Sequence, residues 1–125
     1  MKMFLLFSHK LTKEQEIDAI QNLKVKEFVY LPQDLQKIWS NIPADISDIS
    51  KFLEPIKEFL KQNVKEKDFV LIQGDFGATC KMANFVKMLN ATPIYATTIR
   101  DAKEELINGK IVKTSIFKHV KFRSI

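Results

Sequence analysis

Four short apolar runs alternate with segments of helical period, and this alternation restricts the possible folds more than any other feature of the chain. "KMFLLF" (2–7) precedes "TKEQEIDAIQNL" (12–23), and "EFVYLP" (27–32) precedes "QDLQKIWSNI" (33–42) and "SKFLEPIKEFLKQN" (50–63). "DFVLIQ" (68–73) then precedes "ATCKMANFVKMLN" (78–90), and "TPIYATT" (92–98) precedes "KEELINGKIVKTSIFKHVKFR" (103–123). That last segment holds Asn108 and Gly109, a two-residue hairpin signal. The order β-α-β-α-α-β-α-β plus a hairpin predicts an α/β protein, a single Rossmann-like domain over residues 1–125. Its mainly parallel sheet carries helices on both faces. Right-handed crossovers restrict the strand order to 2-1-3-4, with the C-terminal β-hairpin extending an edge.

In that order strands one and three are neighbours whose connections leave in opposite directions, and ligands of open α/β sheets bind between their carboxyl ends. "FSHKLT" after strand one and "QGDFGAT" after strand three should meet there. The second loop has strand–glycine–helix grammar, with Gly74 and Gly77 free to take positive φ or let a ligand approach the backbone. Neither a P-loop nor the dinucleotide fingerprint is completed. Asp75 opposes a triphosphate, but it can cap the helix or accept from a ribose hydroxyl or adenine amino group. A tight strand–helix turn with Asp75 as N-cap explains the loop without a ligand. Facing Ser8 and His9, the loop reads instead as a ligand site.

The binding set is therefore Gln73, Gly74, Asp75, Phe76, Gly77, Ala78 and Thr79, with Lys81, Thr97, Thr98 and Arg100 extending it toward an anion. His9 is the acid–base candidate, since an ordinary imidazole titrates near pH ~6.5, and Ser8 can donate to a phosphate or ribose. His119 reads as a surface residue and Cys80 as a small buried one. Two scattered histidines and one cysteine have no metal-ligand spacing, so neither metal nor cofactor is expected. Nearer the N-terminus, Thr12 and Gln15 have capping-box spacing, and Ile17, Ile20 and Leu23 form a stripe expected to face inward. Pro55 must kink its helix or sit in the first turn.

Charge is unevenly placed. The net charge is +5, yet no acidic residue follows Glu105, and Lys110, Lys113, Lys118, Lys121 and Arg123 lie beyond it. Removing those five from the 20 Lys+Arg leaves 15, matched by 15 Asp+Glu. A basic terminal strand either steers a polyanion or blunts a sheet edge against aggregation. No apolar run approaches the ~20 residues of a membrane span, and Met3–Phe7 is shorter than a signal-peptide core. The lone Cys80 fits a reducing compartment, so the expected location is cytoplasmic, away from membranes.

"FLLFSHKLTKEQ", "FVYLPQDLQKIWSNIP", "DFVLIQGDFGATCKMANF" and "IYATTIRDA", in that order, resemble the small stand-alone CRISPR-associated accessory proteins of type III systems. The likeness spans nearly the whole chain, and "QGDFGAT" and "FSH" are its most specific parts. It implies a CARF-like relative of the domains that sense cyclic oligoadenylate, and a homodimer with the ring across its two-fold axis. It also implies ring-nuclease activity: a ribose 2′-hydroxyl attacks the adjacent phosphate without a metal, ending antiviral signalling. Two-fold symmetry makes cyclic tetra-adenylate the default ligand. A sponge or sensor that binds the ring without cutting it is the alternative. A third is a single-stranded nucleic-acid module using Phe117, Phe122 and the terminal bases, although DNA is not expected as a partner.

Overall fold

The computed structural model describes residues 1–125. Five strands and four helices follow in the order β1 (Lys2–Leu6), α1 (Lys13–Asn22), β2 (Glu27–Tyr30), α2 (Gln33–Ser40), α3 (Glu54–Asn63), β3 (Phe69–Ile72), α4 (Phe76–Met88), β4 (Thr92–Ile107) and β5 (Lys110–Ser124). They build an α/β fold on one sheet of order β2-β1-β3-β4-β5. The first four strands run parallel, and β5 returns antiparallel to β4.

The central strands are apolar throughout because both of their faces are covered. Phe4, Leu6, Val70 and Ile72 point into a core made with Leu35 and Trp39 of α2, Ile56 and Leu60 of α3, and Met82 and Val86 of α4. Met3, Leu5 and Leu71 point the other way, where Ala19 of α1 joins Leu11, Val25, Ile94 and Phe122. Each fully buried aliphatic side chain contributes roughly 1.5–3 kcal/mol. Asp68, itself buried, accepts from the amides of Lys2 at 3.0 Å and Lys65 at 2.9 Å, tying the starts of β1 and β3 to the preceding loop.

Helix starts follow local chemistry. Thr12 Oγ1 accepts from the Gln15 amide at 3.2 Å while Gln15 Oε1 accepts from the Thr12 amide at 2.9 Å, a complete capping box. Pro55 sits in the first turn of α3, where its missing N–H costs nothing. Asp75 caps α4 by accepting from the Ala78 amide at 3.0 Å.

Three expectations are corrected here. In α1 the buried residues are Gln15 and Ala19, whereas Ile17 and Ile20 are about half exposed. The capping box holds Gln15 inward, small Ala19 lets the helix close on the sheet, and Asp18 is bonded to β5, so the isoleucine stripe rotates outward. Cys80 is exposed, because α4 turns Ala78, Met82 and Ala83 to the core and leaves Cys80 opposite them. Strand four does not stop at Thr98 ahead of a separate hairpin. β4 runs on unbroken to Ile107, turns at Asn108 and Gly109, both at positive φ, and returns as β5. The outer part of this ribbon leaves the body, and every residue from 98 to 118 is exposed.

Candidate functional site

At the carboxyl end of the parallel strands, β1 and β3 leave side by side, with the Gln73 amide donating to the Leu6 carbonyl at 3.0 Å. The loops that follow line two cavities. The first, about 290 Å³, is bounded by Ser8, His9, Lys10, Tyr30, Leu31 and Gln36. The second, also about 290 Å³, is bounded by Ile72, Gln73, Gly74, Phe76, Thr79, Tyr95 and Ile125. Helix α2 fastens to the loops of both. Gln36 Nε2 donates to the Phe7 carbonyl at 2.6 Å, Ser40 Oγ donates to Ser8 Oγ at 3.2 Å, and Trp39 Nε1 donates to the Gln73 carbonyl at 3.1 Å. "FSHKLT" and "QGDFGAT" thus share the sheet end but line separate cavities.

In the first cavity His9 is exposed and meets Phe7 edge-on, ring centroids 5.5 Å apart. The wall opposite is Tyr30, whose hydroxyl accepts from the Leu11 amide at 3.2 Å. His9 and Lys10 both line this cavity, and the His9 ring meets no carboxylate.

The glycine turn has the capped form that the sequence allows, with Asp75 at the N-cap of α4, but its glycines are used differently from the expectation. Neither Gly74 nor Gly77 takes a positive φ; Gly109 does. A β-carbon on Gly74 would lie 3.0 Å from Trp39 Nε1 and 3.1 Å from two indole carbons, so Gly74 exists for the tryptophan packed on it. A β-carbon on Gly77 would meet Asp75 Oδ2 at 3.5 Å, an ordinary contact. The carboxylate of Asp75 already occupies the start of α4, where a phosphate would otherwise be welcomed. The Gln73 side-chain oxygen is also engaged, accepting from the Ala96 amide at 3.2 Å.

What stays open in the second cavity is aromatic. Phe76 is 90% exposed at the first position of α4. Thr79, one turn on, has its hydroxyl buried without a partner. Tyr95 completes the wall; its hydroxyl accepts from Arg123 Nη1 at 2.6 Å, and the guanidinium lies 5.3 Å from the ring centroid. Tyr95 and Arg123 sit opposite one another on antiparallel strands, a pairing that no sequence spacing reveals. Ala78, by contrast, is fully buried.

The remaining candidates are not drawn into either cavity. Lys81 is exposed beyond the cavity wall, and its field reaches Asp48. Hydrogen bonds from Ser50 hold the Asp48 carboxyl below its usual range, helped by Lys81 and Lys57. Thr97 Oγ1 donates to the Lys121 carbonyl at 3.0 Å, and Arg100 donates to Ser115 Oγ at 3.1 and 3.0 Å. Thr98 faces α1 with His119. These three belong to the ribbon because β4 never breaks. His119 is not a surface residue: its side chain is 5% accessible and its Nε2 lies 2.7 Å from Asp18 Oδ2, clamping α1 to β5. No three His, Cys, Asp or Glu side chains group as metal ligands, and no helix is long and apolar enough to cross a membrane.

Fold and cavities together define an α/β protein with a mainly parallel sheet and two cavities at its carboxyl end. More specifically, the chain belongs to the uncharacterized protein MJ1673 family, whose profile matches residues 1–123. It is 60% identical over 122 residues to the uncharacterized protein MJ1673 of Methanocaldococcus jannaschii, covering 98% of this chain and 95% of that one. No solved structure matches it.

Proposed function

We propose that this protein is a ring nuclease of the type III CRISPR response, binding and cleaving cyclic oligoadenylate in the cytoplasm. The fold is read as Rossmann-like and CARF-related, and the working unit as a homodimer with the ring, cyclic tetra-adenylate by symmetry, across its two-fold axis. One observation carries the reading. Phe76 stands 90% exposed beside a cavity that Tyr95 also lines, with the Arg123 guanidinium 5.3 Å from the Tyr95 ring centroid. An exposed ring beside a cavity with a second aromatic wall suits a nucleobase, and stacking on an aromatic is worth about 1–3 kcal/mol per base. Arg123, already bound to Tyr95, adds the cation that a phosphate linkage requires.

In the proposed reaction a ribose 2′-oxygen attacks the neighbouring phosphorus, the P–O5′ bond breaks, and a 2′,3′-cyclic phosphate forms. His9 takes the 2′-hydroxyl proton, and the departing 5′-oxygen gains one from water. Ser8, bonded to Ser40, positions a phosphate oxygen. In-line orientation supplies most of the acceleration, with proton transfer adding roughly 10²–10⁴-fold.

The position of His9 in the cavity away from Phe76 favours one second reading, a protein that holds the ring without cutting it. Incubation with labelled cyclic tri-, tetra- and hexa-adenylate in EDTA separates the two. Linear products ending in 2′,3′-cyclic phosphate support the nuclease. An intact ring retained by the protein supports the sponge, and neither binding nor cleavage removes both.

A further inference from the structure

The β4–β5 ribbon is longer than the sheet needs. Nine paired rows, from Ile99 opposite Lys118 to Ile107 opposite Lys110, lie beyond the clamp of His119 on α1. At ~3.3 Å per residue they reach roughly 30 Å, similar to the width of a globule of this chain length. An isolated two-stranded ribbon is marginal in water unless a face is covered. Here each face carries exposed apolar side chains set among charged ones. Pairing puts Leu106, Ile111 and Phe117 on the side of α1, and Ile99, Val112 and Ile116 on the other, all exposed.

We propose that this ribbon is an arm that clasps a second copy of the chain. Its seven large apolar side chains, 37–76% exposed, present an area on the order of the ~800 Å² each partner gives a standard stable interface. Their arrangement favours a copy of the same chain over a nucleic acid. Asp101, Glu104 and Glu105 are interleaved with the lysines, and Glu104 pairs with Lys113 at 3.7 Å and Asp101 with Lys118 at 4.0 Å. A ribbon of mixed sign repels phosphates at three carboxylates, whereas across a two-fold axis each sign can meet its opposite. The lysines along β5 block edge-to-edge strand pairing, so contact is through the faces. With apolar side chains on both faces, one face rests on the partner's arm and the other on its body, where α1 turns the matching residues Ile17 and Ile20 outward. This assembly does not depend on the ligand assigned to the cavities.

Sedimentation equilibrium across micromolar concentrations tests it. The wild-type chain should have the mass of a dimer without ligand. Val112→Glu with Ile116→Glu on one face, and Ile111→Glu with Phe117→Glu on the other, should each give monomers that keep the helical circular dichroism signal of the body, since no buried group of the body is altered. Phe76→Ser should stay dimeric while losing cyclic tetra-adenylate, so failure of the arm and failure of the ligand reading show separately. A monomeric wild type, or a dimer that survives both double substitutions, overturns the proposal. Binding of oligo-adenylate RNA by a monomer in a manner lost with Lys113→Ala and Lys118→Ala would also overturn it.

Discussion

At the scale of single residues, the two glycines separate by what their missing side chains leave room for. Gly74 lies under the Trp39 indole, so Gly74→Ala should cost about 1–3 kcal/mol by overpacking. Gly77 lies within α4, has no left-handed φ and has space for a methyl, so Gly77→Ala should stabilise by about 0.4–1 kcal/mol. Urea denaturation of the pair checks both signs. If Gly77→Ala unfolds the protein, the geometry of the turn described above is wrong. His9, exposed and engaged only by the edge of Phe7, should matter for rate. His9→Ala is expected to lower the single-turnover rate about 10²–10⁴-fold and flatten the pH–rate profile, leaving the dissociation constant nearly unchanged. Weaker binding with an unaltered profile would make it a hydrogen-bond donor instead.

At the scale of elements, the start of α4 is contested between a cap and a ligand. Asp75→Asn keeps a capping oxygen at the Ala78 amide and removes only the charge. If a phosphate of the ring approaches this helix end, the substitution should tighten binding of cyclic tetra-adenylate. If Asp75 accepts from a ribose hydroxyl or adenine amino group, binding should weaken by about 1–3 kcal/mol. Equilibrium titration gives the sign, and unchanged affinity leaves Asp75 a cap alone. Helix α1 poses a different contest, between apolar period and tertiary attachment. Its isoleucines have the spacing of an inward stripe, yet the Thr12–Gln15 box and the Asp18–His119 clamp rotate them to solvent. Asp18→Ala should therefore destabilise by about 3–5 kcal/mol if the buried pair is charged, because the imidazole loses its partner. A loss under 1 kcal/mol in urea would show that α1 is held by packing alone.

At the scale of the whole molecule, stability is divided sharply between body and arm. β1 and β3 are covered on both faces, while every residue from 98 to 118 is exposed. Hydrogen exchange in dilute solution should leave the amides of Val70–Ile72 among the slowest and those flanking Gly109 among the fastest. Equal rates in the two places would contradict this division. Raising the concentration should slow the arm alone if a second copy covers it.

Strand alternation, the capping box, the first-turn proline and the Asn108–Gly109 turn were legible because each rests on interactions within a few residues. The same locality made the carboxyl-end loops "FSHKLT" and "QGDFGAT" visible as candidates. The sequence by itself therefore determined which segments are strands and helices, where most of them begin, and which loops follow the buried strands. Only the tertiary structure decided that Trp39, brought back by α2, claims Gly74, and that Arg123 reaches Tyr95 across an antiparallel pair. The outward turn of Ile17 and Ile20, the burial of His119 and the continuation of β4 past Thr98 were likewise settled by partners far along the chain. The physical reason is range: a cap or turn is decided over three or four positions, whereas Asp18 and His119 meet across 101.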